Sequence, residues 1–150
     1  MIVFNRSKVF ASRLIGQKLS GGKVEVFFLA HQKNAQGFFP VLIKTRGKKK
    51  LGDEFLFNKN LKVWITHIAD DGTFGIDLTL PEEFNSLLDY LEQEALIPIP
   101  PYIRGGMSDE EDKKNYQTIY SKESGSVAAP TAGLHFTPKV FESLKQKGID

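Results

Sequence analysis

The feature that most constrains the fold is a change of hydrophobic period near Pro81. Before it, five segments are short, rich in Val, Ile and aromatic residues, and partly alternate between apolar and polar positions. They are KVFASRLIG at 8–16, KVEVFFLA at 23–30, GFFPVLI at 37–43, LKVWITHIA at 61–69 and TFGIDLTL at 73–80. So many strands in so short a span predict a small β-barrel or β-sandwich.

The breaks between these segments carry turn chemistry. Ser20-Gly21-Gly22 precedes one strand, and Asp70-Asp71-Gly72 lies between two others. Glycine adopts positive φ without steric cost, so both tripeptides predict tight hairpin turns.

After Pro81 the spacing of apolar residues becomes helical. One amphipathic helix is predicted over roughly 82–95, and DEEDKKNYQTIY predicts a second helix with Ser108 as its N-cap. A third begins at Thr137-Pro138 and ends near Gly148. The predicted class is therefore α+β, mostly β, with about three helices in the second half.

The order of these patterns predicts two interlocked lobes. The segments ASRL and PIPPYIR flank a self-contained run of strands and one helix. We therefore expect residues 16–95 to form an inserted β-rich lobe, and residues 1–15 with 96–150 to form part of a core lobe.

Composition limits the classes of protein to consider. With 150 residues, 41% of them hydrophobic, the chain can bury one sizeable core or two small lobes sharing one. The absence of cysteine excludes disulfides and thiolate metal sites and suits a reducing cytoplasm. The longest apolar run, residues 24–30, contains Glu25 and is far shorter than the ~20 residues of a membrane helix. We expect a cytoplasmic monomer without a membrane segment.

Charge is unevenly distributed along the chain. Residues 1–50 contain eleven Lys and Arg residues and one acid, whereas residues 51–100 contain two basic residues and ten acids. The contiguous run RGKKK predicts an RNA contact by Arg46, Lys48, Lys49 and Lys50. The alternative is a solvated hairpin tip.

Residues 125–137 are mostly small and include no Lys, Arg, Asp or Glu, and we call them the 125–137 segment. Small residues let a backbone approach a ligand closely, while Ser126, Thr131 and His135 add hydrogen-bonding groups. The alternative is a tightly packed turn with a satisfied histidine. The three histidines, His31, His67 and His135, are widely spaced without paired carboxylates, so no metal site is predicted.

The sequence SVAAPTAGLHFT at 126–137 resembles the signature of the S-adenosylmethionine:tRNA ribosyltransferase-isomerases of queuosine biosynthesis. Supporting segments follow in the family's order across the whole chain. They are Phe4-Asn5, Lys8-Val9, Arg13-Leu14, 21–26, Pro100-Pro101-Tyr102-Ile103, Asp112, Tyr116-Gln117-Thr118 and Tyr120. Departures from the family pattern occur at Arg6, at Ala11-Ser12, and at Arg104, which relatives can place one residue later. The family's chains are more than twice this length, so the resemblance identifies this chain as an internal segment of a longer one.

The resemblance implies a particular reaction. The ribosyl moiety of S-adenosylmethionine moves to 7-aminomethyl-7-deazaguanine at the tRNA wobble position, which gives epoxyqueuosine and releases adenine and methionine. S-adenosylmethionine is then a substrate, no cofactor is expected, and the macromolecular partner is the tRNA anticodon loop. Such a reaction needs acid-base groups and a desolvated, partly aromatic pocket.

The resemblance also implies roles for residues of this sequence. His135 is the expected acid-base group and Thr131 its catalytic neighbour. Contacts to the substrate are expected from Arg13, Tyr102, Arg104, Tyr116, Gln117, Ser126, Gly133 and Phe136. Two other interpretations remain open, a non-catalytic RNA-binding β module and an inactive fragment of the enzyme.

Overall fold

The computed structural model describes residues 2–149, which form eight strands and three α-helices. The strands are β1 (Ser7–Val9), β2 (Arg13–Lys18), β3 (Lys23–Phe28), β4 (Phe39–Thr45), β5 (Glu54–Leu56), β6 (Lys62–Ile68), β7 (Phe74–Thr79) and β8 (Glu123–Ser126). The helices are α1 (Leu87–Glu94), α2 (Glu110–Asn115) and α3 (Pro138–Gln146). The expected mostly β composition with three helices is confirmed.

Six strands close into an antiparallel barrel in the order β2-β3-β4-β7-β6-β5. Short β5 closes it, with Gln17 of β2 paired to Leu56. Residues alternate across each strand, so that Val24, Val26 and Phe28 of β3 are fully buried. Of the two predicted all-β architectures, the structure has the barrel.

Helix α1 covers the barrel core. It buries Leu87, Tyr90 and Leu91, and the Tyr90 hydroxyl donates to the Asn58 carbonyl at 2.8 Å. The helix begins at Leu87 rather than near residue 82, because Ser86 Oγ accepts the Asp89 amide at 3.1 Å and acts as the N-cap.

The predicted strand 8–16 is wrong as a single element. It divides into β1 and β2 because the intervening backbone has two different partners. The Phe10 amide donates to Ser126 at 3.1 Å, whereas the Ser12 amide donates to the Leu96 carbonyl at 3.1 Å. The segment from Phe10 to Ser12 is buried. It therefore joins the barrel to a second, two-stranded parallel sheet formed by β1 and β8.

Helix α2 differs from the prediction at both ends. Its N-cap is Asp109, not Ser108, since the Asp109 carboxylate accepts the Asp112 amide and the Asp112 carboxylate accepts the Asp109 amide. The helix ends at Asn115, before residues 116–120, which we call the YQTIY segment. There the Gln117 side chain is hydrogen-bonded to the β1 backbone and Thr118 is buried. These contacts hold the YQTIY segment in a non-helical conformation.

Helix α3 has the predicted ends. Thr137 Oγ1 accepts the Val140 amide at 3.4 Å, and Pro138 opens the first turn. Beyond the last turn, Gly148 has φ of 64° and the Ile149 amide donates to Leu144 at 3.1 Å. No helix within residues 2–149 is long and apolar enough to cross a membrane.

Candidate functional site

The 125–137 segment begins in β8 and continues through a 3-10 turn, Thr131–His135, to the start of α3. Ser126 Oγ donates to the Ala128 carbonyl at 2.7 Å and accepts the Ala128 amide at 3.2 Å. The Ser126 side chain therefore stabilises the turn that leads toward Thr131.

Gly133 is buried where the 3-10 turn meets the YQTIY segment. A Cβ atom there would overlap the Tyr120 hydroxyl and lie 2.9 Å from Cγ2 of Thr118. The glycine thus permits a close approach between two parts of the chain. This geometry favours the packed-turn alternative for this one residue.

Four aromatic rings hold the C-terminal end of the 125–137 segment against the N-terminal residues. Phe4 lies 4.8 Å from Tyr120, 4.9 Å from Phe136 and 5.3 Å from Phe141 between ring centroids. Tilted and edge-on aromatic pairs of this kind contribute about 0.5–1.5 kcal/mol beyond burial. Phe136 therefore packs on protein rings, and its predicted substrate contact stays a prediction.

His135 and Thr131 lie at the two ends of the 3-10 turn, and both are exposed. Neither side chain makes a hydrogen bond within residues 2–149. Their predicted catalytic roles stay predictions, on side chains that are accessible to a ligand.

Gln117 fixes the YQTIY segment to β1. Its Oε1 accepts the Val9 amide at 2.9 Å, and its Nε2 donates to the Val9 carbonyl at 2.5 Å. Neighbouring Tyr116 is half-buried, and this burial, followed by the nearby Tyr102, raises the Tyr116 pKa. Tyr102 itself is 86% exposed.

Both arginines that are expected to contact the substrate already have acidic partners. Arg13 bonds to both oxygens of Glu25, at 2.8 and 3.1 Å, and donates to the Gly106 carbonyl. The hydrogen bond from Arg13 is the main cause of the lowered Glu25 pKa, although partial burial opposes it. Arg104 pairs with Asp109 at 2.6 Å and with Asp112. In this arrangement both guanidinium groups anchor protein segments.

The RGKKK run lies in the loop between β4 and β5. Lys48 and Lys50 line one groove of about 600 Å³, and Arg46 lines a second of about 590 Å³. Lys49 is different, because its Nζ lies 5.7 Å from the centroid of the Phe74 ring. The other lining residues of both grooves come from the barrel and its loops, so this cluster is separate from the 125–137 segment.

Sequence reasoning missed several residues that the fold brings to these places. Lys18 and Lys23 line the basic grooves, and Phe4 and Phe141 complete the aromatic cluster. These positions come together only in the folded chain, the lysines through the pairing of β2, β3 and β4 and the phenylalanines through ring contacts. Within residues 2–149, no group of three or more acidic or histidine side chains could hold a metal ion.

Comparisons with known proteins agree with the motif. The family model described as "Queuosine biosynthesis protein" matches residues 1–150. A protein of Clostridioides difficile named S-adenosylmethionine:tRNA ribosyltransferase-isomerase is 38% identical over 151 residues, covering 99% of this chain and 42% of the relative.

Two further relatives carry the same name. One from Natranaerobius thermophilus is 40% identical, covering 99% of this chain and 42% of its own length. Another from Geotalea uraniireducens is 34% identical, covering 100% of this chain and 43% of its own length. The chain thus spans less than half the length of these relatives. Because the family model matches all 150 residues, the chain belongs to the queuosine biosynthesis protein family.

Proposed function

We propose that this chain is part of an S-adenosylmethionine:tRNA ribosyltransferase-isomerase. In the proposed reaction the ribosyl moiety of S-adenosylmethionine moves to 7-aminomethyl-7-deazaguanine at the tRNA wobble position. The products are epoxyqueuosine, adenine and methionine. The observation that carries the proposal is the family match over all 150 residues together with three relatives of that name.

The exposed polar groups of the 125–137 segment are the proposed catalytic contribution of this chain. Proton removal beside a sulfonium and departure of adenine both need a group that titrates near neutrality, which an imidazole does. His135 is exposed at the entrance to α3 and makes no side-chain hydrogen bond within residues 2–149. Thr131, exposed at the start of the same 3-10 turn, is proposed to hydrogen-bond the reacting ribosyl group.

The predicted binding residues divide by what they already contact. Tyr102 is the most exposed, and we propose that it contacts the adenine or the sulfonium. Tyr116, which is half-buried near Tyr102, is proposed to contact the same part of the substrate. The remaining predicted residues have protein partners, and we propose that they shape the site by holding its segments: Arg13, Arg104, Gln117, Ser126, Gly133 and Phe136.

We also propose that the chain has two interlocked lobes. Leu96 supports this division, because its amide donates to Arg13 at 2.9 Å and its carbonyl accepts the amides of Ser12 and Arg13. The ends of the barrel segment therefore meet at one place, as expected for an inserted lobe. The boundaries 16–95 for the insert, and 1–15 with 96–150 for the core lobe, are close to this junction.

The proposed partner is the tRNA anticodon loop, whose single-stranded bases can be presented at little unpairing cost. S-adenosylmethionine serves as a substrate, with no separate cofactor, and the proposed state is a monomer in the cytoplasm. Since the chain matches 42–43% of its relatives, we propose that other parts of the longer protein complete the walls of the site. A second candidate, a non-catalytic RNA-binding module or inactive fragment, is favoured by the basic grooves on the barrel.

A chimera tests the proposal, with this chain replacing the matched residues of the Clostridioides difficile relative. We expect it to release adenine from S-adenosylmethionine only when tRNA carrying the precursor base is present. The His135→Ala substitution should lower turnover by roughly 10²–10⁴ if His135 is a general acid or base. His67→Ala, an exposed histidine of β6, is the matched control and should keep activity.

Two results would count against the proposal. Unchanged turnover in His135→Ala would remove His135 from the chemistry. A folded chimera that binds labelled S-adenosylmethionine and tRNA but releases no adenine would favour the non-catalytic alternative.

A further inference from the structure

Two open grooves lie side by side at one end of the barrel. The first is bounded by the β2–β3 turn and the loop that precedes β5, and the second by the same turn and the end of β4. Lys18 and Ser20 line both, so the grooves adjoin at that turn. With volumes of about 600 and 590 Å³, each is large compared with a single small anion.

The walls of these grooves are tied together by side-chain hydrogen bonds. Lys18 Nζ donates to the Arg46 carbonyl at 2.7 Å, which fixes the start of the β4–β5 loop against β2. Thr45 Oγ1 donates to the Lys23 carbonyl at 2.8 Å on the other side. These two hydrogen bonds hold the β2–β3 hairpin and the start of the β4–β5 loop together, so their cations keep fixed positions relative to one another.

Within the described part of the chain, the cations of the grooves form no close ion pairs with carboxylates, although Lys23 lies near enough to Glu25 to help lower the pKa of that carboxyl. Five cations line the two grooves: Lys18, Lys23, Arg46, Lys48 and Lys50. None has a carboxylate oxygen within 4.0 Å among residues 2–149, whereas Lys33 and Lys59 elsewhere pair with Asp77 and Glu83. Two acids, Asp53 and Glu54, also line the first groove. Asp53 accepts the Lys50 backbone amide at 2.9 Å.

The three consecutive lysines of the loop point to different surroundings. Lys48 and Lys50 line the first groove, while the ammonium group of Lys49, between them, lies 5.7 Å from the Phe74 ring centroid. The fold therefore places Lys48 and Lys50 in the first groove and Lys49 beside the Phe74 ring. The RNA contact that the sequence predicts for Lys49 lies outside these grooves, so Lys49 supplies an internal control with the same charge and a different position.

We propose that the paired grooves bind a run of consecutive phosphates of an RNA strand, through Lys18, Lys23, Arg46, Lys48 and Lys50. Repeated phosphates match cations that line two adjoining grooves, without ion-pair partners among residues 2–149, better than one isolated anion does. Leu19, 69% exposed on the rim, offers an apolar contact to a ribose or an unstacked base. This inference rests on the proposed function, which supplies tRNA as the partner, and names the surface that binds its backbone.

The test measures the affinity of this chain for an unmodified tRNA transcript across a series of salt concentrations, without S-adenosylmethionine. Each lost phosphate contact should lower the slope of log K against log salt by roughly 0.7 for a single strand. The triple variant Lys23→Gln, Lys48→Gln, Lys50→Gln should therefore lose about 2 from the slope. The control, Lys49→Gln, Lys62→Gln, Lys114→Gln, removes the same charge from outside the grooves and should keep most of it.

Equal slopes for the two triple variants, or no tRNA binding by the native chain, would overturn the inference. Binding of the native chain to phosphatidylglycerol vesicles but not to tRNA would also overturn it, since the phosphates would then belong to a lipid surface. These readouts involve no catalysis. If the salt slopes contradict this inference, the chimera can still release adenine. If the chimera releases no adenine, the salt slopes still test the grooves.

Discussion

The barrel and the C-terminal part of the chain, residues 100–149, are built in opposite ways. Strands β3, β4, β6 and β7 direct alternate side chains into one core, where Val24, Val41 and Val63 are completely buried. Between residues 100 and 149 only Gly106, Thr118 and Gly133 are buried, and none lies in α2 or α3. The region that carries the family motif is therefore held by hydrogen bonds, a few aromatic contacts and the partly buried side chains of Ile103, Tyr116 and Val127, which pack against the core.

The two regions therefore differ in what determines their sequences. The barrel sequence is explained by packing, because a one-residue shift in register would turn its apolar face to solvent. The 125–137 segment is explained by packing only in part, at Val127, Gly133 and Phe136. Its exposed Thr131 and His135 have no structural partner within residues 2–149, which suits groups kept for a ligand.

The largest expected effect is the loss of a barrel core ring. Phe28 is fully buried, so Phe28→Ala should lower the free energy of unfolding by about 3–5 kcal/mol. Phe136→Ala, at a half-buried ring of the aromatic cluster, is the matched comparison and should cost clearly less. Urea denaturation of both variants measures the difference. Equal losses of unfolding free energy would contradict the expected difference in packing between the two regions.

The next effect sharpens the contrast inside the 125–137 segment. Gly133→Ala should cost about 1–3 kcal/mol, because the added methyl group overlaps the Tyr120 hydroxyl and presses on Thr118. Gly125→Ala is the control, since nothing lies within 4 Å of its added Cβ. Thermal unfolding should show the loss for Gly133→Ala only, with partial recovery when Tyr120→Phe is added. Identical behaviour of both alanine variants would contradict the packed position of Gly133.

A smaller effect concerns the hydrogen bonds that hold the YQTIY segment to β1. Gln117→Glu keeps the acceptor for the Val9 amide but removes the donor to the Val9 carbonyl. Leaving a buried carbonyl without its partner should cost about 1–3 kcal/mol locally. Amide exchange in β1 should accelerate, while exchange in β3 and β4 stays unchanged. Gln146→Glu at the end of α3, an exposed position, serves as the control.

The smallest effect is a pH dependence located at the junction of the barrel and the later loops. The hydrogen bond from Arg13 lowers the Glu25 pKa below its ordinary value of 4.5. The stabilisation by Glu25 is therefore complete above pH 4.5 and is lost as the pH falls through the lower pKa of the folded state. Glu25→Gln should flatten stability against pH in that window, whereas the exposed control Glu142→Gln should not. An unchanged acid profile would rule out this contribution.

Much of the barrel was predictable because its signals are local. Alternation identified β3, β4, β6 and β7, and the positive φ of Gly21 and Gly72 confirms both predicted turns. Strand β5 was missed because it has three residues, and β8, with the sequence ESGS, has weak strand propensity. Strand β8 pairs with distant β1, whereas β5 pairs with the neighbouring β6 as well as with distant β2.

The candidate sites divide in the same way. The motif at 126–137 and the RGKKK run are contiguous, so the sequence alone identifies them. The participation of Lys18 and Lys23 in the basic grooves follows from the β2–β3 turn meeting the β4–β5 loop, which no local pattern encodes. The role of Gln117 as a bridge to Val9 likewise spans 108 positions of sequence.

Hydrogen exchange along the native chain tests the central claim most directly, namely that the barrel holds its own core while the 125–137 segment does not. We expect amides of β3, β4 and β6 to exchange only through global unfolding. Amides of residues 123–137 should exchange at least about a hundredfold faster, through local opening. Uniform protection across both regions, at the level of global unfolding, would contradict the account.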